Sequence, residues 1–97
     1  MSKCSIKLID KFKKIENQHK ELTKFKVKHQ YVLHIYDDGD DNIIFDDLIS
    51  CLDRIPSKMK IIEDYQYVNK CYILELISYY MENNIHKDVG SFKMKFG

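Results

Sequence analysis

Ninety-seven residues suffice for one domain with a single modest core, and we expect one domain over 1–97. An apolar share of 44% excludes disorder throughout, and no apolar run approaches the roughly 20 residues of a membrane span. A net charge of +1 hides an asymmetry: residues 1–36 hold nine lysines against Asp10, Glu16 and Glu21, whereas residues 37–65 hold nine carboxylates against Arg54, Lys58 and Lys60. Such segments neutralise each other across a fold, or steer a charged partner.

Residues 5–22 predict an amphipathic helix, because Ile6, Ile9, Phe12, Ile15, His19 and Leu22 recur every three or four positions. From Lys24 to Tyr36 the pattern changes to alternation, the period of a half-buried strand. Asp37-Asp38-Gly39-Asp40-Asp41 then reads as a turn, with Asn42–Phe45 returning as a short strand. Asp46 or Asp47 can cap a helix with the stripe Leu48, Ile49, Leu52 and Ile55, which Pro56 ends. Residues 57–65 fit a short strand or a helical turn.

Residues 66–83 predict a central helix that is apolar nearly all round. Asn83 or Asn84 would supply its left-handed terminus. Gly90 leads into a last alternating strand, Phe92-Lys93-Met94-Lys95-Phe96. The fold class is therefore α+β, a small antiparallel sheet with helices packed on one face. If both alternating segments join one sheet, Phe25, Val27, Tyr31, Leu33, Phe92, Met94 and Phe96 face inward. A basic face then carries Lys24, Lys26, Lys28, Lys93 and Lys95.

Signatures of catalysis and metal binding are missing. His19, His29, His34 and His86 lack ligand spacing with each other or with a cysteine, so no zinc site is expected. The acidic loop of Asp37, Asp38, Asp40 and Asp41 departs from a calcium-loop pattern. Within the wider acidic cluster of residues 37–47 the expected role is turn and cap, with an acidic contact surface or a divalent-cation site as the functional alternatives. The three glycines form no phosphate-binding loop. Cys4, Cys51 and Cys71 are odd in number and widely spaced, which fits reduced thiols in the cytoplasm better than disulfides. We expect no cofactor and no enzymatic activity.

Two function classes remain. The apolar surplus on 66–83 nominates Tyr72, Ile73, Leu76, Tyr79 and Tyr80 as a protein interface, for a partner protein or a dimer. The expected function is thus a small non-catalytic binding protein. The absence of alanine and the single arginine suit an AT-rich genome. That bias suggests a viral, phage or mobile-element accessory protein that inhibits or modulates a host factor. The alternative is a nucleic-acid-binding regulator that uses the lysine face, with Tyr31, His34 and Tyr36 available to stack on bases.

Overall fold

The computed structural model describes residues 6–22, 26–62 and 70–97. In chain order its elements are α1 (Ile6–Glu21), β1 (Lys28–Tyr36), β2 (Asp40–Phe45), α2 (Leu48–Asp53), β3 (Ile61–Ile62), β4 (Cys71–Glu82) and β5 (Ile85–Phe96). The strands form one curled antiparallel sheet in the order β2-β1-β4-β5-β3, so the architecture is broadly α+β.

Alternation places the side chains of β1 as expected. Tyr31 and Leu33 are buried, as is Val27 just before the strand, while Lys26 and Lys28 are exposed. Lys24 and Phe25 lie outside the described residues, as do Cys4, Tyr65 and Tyr67. Asp38 and Gly39 take positive φ at the β1–β2 turn, as an Asp-Gly pair allows. Asp47 is the N-cap of α2: its carboxylate accepts from the Ser50 backbone N–H at 2.8 Å and from the Ser50 hydroxyl at 2.9 Å. The helical stripe on α1 is corrected at two positions. Leu8 joins Phe12 in the core, and Leu22 stands outside it at 73% exposure.

The expected helix over 66–83 is overturned, because residues 71–82 form β4, the middle strand of the sheet. The physical reason is burial on two sides. A central strand can carry apolar groups on both faces, and this one combines Ile and Tyr, which suit a pleated surface. Leu74, Leu76 and Ser78 are fully buried on the inward face. Ile73 and Ile77 are half-buried on the other. Asn83 and Asn84 do adopt left-handed φ, 52° and 65°, but as the two-residue turn of the β4–β5 hairpin and not as a helix end. Residues beyond the Lys28–Tyr79 pair extend this hairpin past the end of β1.

One core cluster joins Leu8 and Phe12 of α1, Leu48, Cys51 and Leu52 of α2, and Tyr31, Leu33, Leu74, Leu76, Met94 and Phe96 of the sheet. Phe12 is its pivot. Its ring meets Phe92 edge-on at 5.5 Å between centroids and Tyr31 at 6.1 Å. The backbone groups of Lys60 and Gly97 bond reciprocally at 2.9 and 3.0 Å, which prolongs the β3–β5 ladder.

Candidate functional site

Register defines the outward sheet face. Antiparallel partners point the same way, so Ile44, Val32, Glu75 and Lys93 form one row across β2, β1, β4 and β5. Asn42, His34, Ile73 and Lys95 form the next row. Lys28 lies on the same face, opposite Tyr79. Lys28, Lys93 and Lys95 thus share a face, but β4 lies between β1 and β5 and sets Glu75 between their lysines. That carboxylate sits 2.9 Å from His34 Nε2 and 3.9 Å from Lys93 Nζ, and His34 Nδ1 lies 2.8 Å from Asn42 Oδ1. Around this polar strip Val32, Ile73 and Ile77 are covered or half-covered, whereas Ile44 is 61% exposed.

The five tyrosine, isoleucine and leucine positions nominated from the sequence separate by strand parity. Leu76 is fully buried in the core, which removes it from any contact surface of the folded protein. Tyr72 packs against the same cluster. Ile73 and Tyr79 face outward. Tyr79 meets His86 edge-on at 4.4 Å. Tyr80 lies on the hairpin beyond β1, near Met81 and Ile85, which are 53% and 57% exposed. Of the acidic loop, Asp40 lies by register at the β2 end of the outward face, opposite Tyr36. Asp37 pairs with Lys70 at 3.3 Å.

A second cluster lies on the inward face, under the C-terminal half of α1. Ser78 is fully buried, and its Oγ lies 2.6 Å from His19 Nδ1 and 2.7 Å from His29 Nδ1. The His29 Nε2 is buried without a hydrogen-bond partner among the described residues. Burial pushes the His29 imidazole below the usual histidine range, and Lys20 and His19 push the same way. Beside it the Tyr31 hydroxyl donates to Glu16, whose carboxyl burial holds above the usual range against the pull of Lys20 and Lys13. An open cleft of about 530 Å³ adjoins these groups, lined by Ile9, Lys13, Glu16, His29, Asp46 and Leu48 among others.

This cluster could be missed because its members are 10, 49 and 59 positions apart in every pairing. The available signal was parity: His29 shares a strand face with Tyr31 and Leu33, and His19 follows the helical stripe. The chemistry open to it is narrow. A serine held by two imidazoles has the parts of an activated nucleophile, but Oγ is sealed from any substrate. Cys51 is equally withdrawn: burial pushes its thiol up to about 12. Among the described residues no three His, Cys, Asp or Glu side chains converge as metal ligands do.

Comparisons with protein-family models, with curated proteins and with solved structures find no match.

Proposed function

We propose that the protein is a small non-catalytic binding protein that engages a partner protein through the outward sheet face, with both helices packed on the opposite face. The observation that carries this reading is Ile44, well exposed beside Val32 and in line with Glu75 and Lys93. Exposed apolar surface beside charged and polar groups is the composition of a contact patch, and here the apolar part lies on the edge strand β2 with the polar strip and lysines beyond it. With Lys28, Lys93 and Lys95 on this face, the fitting partner presents an apolar contact for Ile44 with carboxylates placed toward the lysines. The residue bias of the chain adds a source: an accessory protein from an AT-rich genome, acting on a host factor in the cytoplasm.

The test is affinity capture with wild type and with the double variant Ile44→Asp, Ile73→Asp. The reading expects a protein retained by wild type and lost by the variant, with the circular dichroism of the two alike. Equal retention by both refutes this face as the contact.

The second reading is nucleic-acid binding through Lys26, Lys28, Lys93 and Lys95, supported by the shared face of the last three. Its mark is steep loss of binding with salt, because each neutralised phosphate releases counterions. Retention of RNA or DNA at low salt, abolished by Lys93→Glu with Lys95→Glu, would favour it over the first.

A further inference from the structure

We propose that His19, Ser78 and His29 form a proton-operated latch that holds the C-terminal half of α1 on the sheet at neutral pH and releases it in acid. The reason is a count of hydrogens. Ser78 Oγ has one hydrogen and stands within bonding distance of two Nδ1 atoms. With both rings neutral, His29 Nδ1–H donates to Oγ, and Oγ–H donates to His19 Nδ1. The buried His29 Nε2 then carries only a lone pair.

Adding a proton breaks this economy of hydrogens. On His29 it puts an N–H at Nε2, where no acceptor lies among the described residues. On His19 it turns Nδ1 into a donor. Oγ–H must then swing to His29 Nδ1, which shifts the His29 hydrogen to Nε2, or be left buried without an acceptor. A second proton would place two imidazolium rings on one hydroxyl, their Nδ1 atoms each within 2.7 Å of it. A buried donor without an acceptor costs free energy, and so does a pair of like charges.

Among the described residues no carboxylate bonds either ring. On α1, Lys20 and Lys13 are cations, and Glu16 is held by the Tyr31 hydroxyl of β1. Across the cleft, Asp47 is engaged by Ser50, and Asp46 lines the wall beside it. On the β4–β5 side the next inward row is Tyr80 opposite Lys87. Release leaves Leu8 and Phe12, in the first half of α1, seated in the core, and gives up the partly buried Ile15 and the bond from Tyr31 to Glu16.

The experiment is amide hydrogen exchange on the full chain across pH 7 to 5, corrected for intrinsic exchange, with an imidazole ¹⁵N NMR titration on the same samples. In wild type, protection of the α1 amides from Glu16 to Glu21 should fall by about tenfold per pH unit below about 6.5 for each proton taken up. Protection in β4 should persist, and the His29 nitrogens should titrate at the acid end of that fall, below its onset. His29→Gln, which keeps a donor for Oγ but cannot titrate, should reduce the slope, since only His19 can then take up a proton, and Glu16→Gln should leave the response in place. Three results would overturn the latch: α1 protection flat from pH 7 to 5 in wild type, an unchanged slope in His29→Gln, or a slope abolished by Glu16→Gln. Should His29→Gln fail to fold, the wild-type titration decides, because a loss of protection that begins only after the His29 ring is already protonated rejects the mechanism.

Discussion

Gly90 is the seat of the His19 ring. A β-carbon built on Gly90 would stand 3.0 Å from His19 Nε2 and 3.3 Å from Cε1, closer than side chains ordinarily approach. Gly90 pairs with Ser78 across the β4–β5 ladder, and the register shifts at the next position, between Ser78 and Tyr79. The bare backbone of one strand and the hydroxyl of its neighbour therefore receive the same imidazole.

Gly90→Ala should destabilise the protein by about 1 kcal/mol, the low end of the overpacking range, because the atom met is a side chain that can give way. Chemical denaturation measures the loss. The His19 ring resonances should move in the same variant, whereas Gly39→Ala, with nothing within 4 Å of the added atom, should leave them unmoved. A strained φ of 157° at Gly39 makes that second variant costly for a local reason only.

Strand parity in β4 separates core from surface. Leu74→Ala and Leu76→Ala should each cost roughly 2–5 kcal/mol, as truncations of fully buried side chains. Ile44→Ala should stay within about 0.5 kcal/mol, since most of its side chain is already in water. Equilibrium urea unfolding tests all three, and a Leu76→Ala change as mild as Ile44→Ala would contradict the assignment of β4.

Removing the cap of α2 should lower thermal stability. Asp47→Ala loses both bonds from Ser50, while Asp47→Asn keeps an acceptor and should lose less. Those two bonds hold the Asp47 carboxyl below the usual 3.8. The stability it contributes is therefore present above that value and is lost as pH falls through the depressed one. The melting temperatures of wild type and Asp47→Ala should converge in strong acid.

Glu16 carries the opposite sign. Burial raises its carboxyl above 4.5, so the folded chain binds this proton more tightly than the unfolded one. The resulting stabilisation is complete below about 4.5 and disappears as pH rises through the raised value. Glu16→Gln, which still accepts from the Tyr31 hydroxyl, should be more stable than wild type at pH 7 and lose that advantage by pH 4. Thermal melts of the pair at the two pH values measure it.

Much of this architecture was legible in the sequence wherever one face of an element is wet. Alternation from Val27 to Leu33 and from Phe92 to Phe96 assigned inward and outward positions, because a two-residue period has one meaning when lysines mark the solvent side. Asp38-Gly39 announced a turn and Asp46 or Asp47 a cap, since each solves a local backbone problem with its own atoms, and the structure places the cap at Asp47. Residues 71–82 gave no such contrast. The middle strand is apolar on both sides, and a segment without a wet face reads equally as a buried helix. Only pairing with β1 and β5 decided it.

The candidate sites divide along the same line. The sequence determined that the lysines of each alternating segment lie on the side away from its apolar residues, for that follows from period alone. Tertiary structure decided that β4 lies between the two segments and sets Glu75 among their charges. It also decided that His19, His29 and Ser78 meet. Hydrogen bonds of 2.6 and 2.7 Å join side chains from a helix and two strands, and no local interaction along the chain encodes that meeting. It arises because packing Phe12 against Tyr31 and Phe92 fixes where the next two turns of α1 must lie.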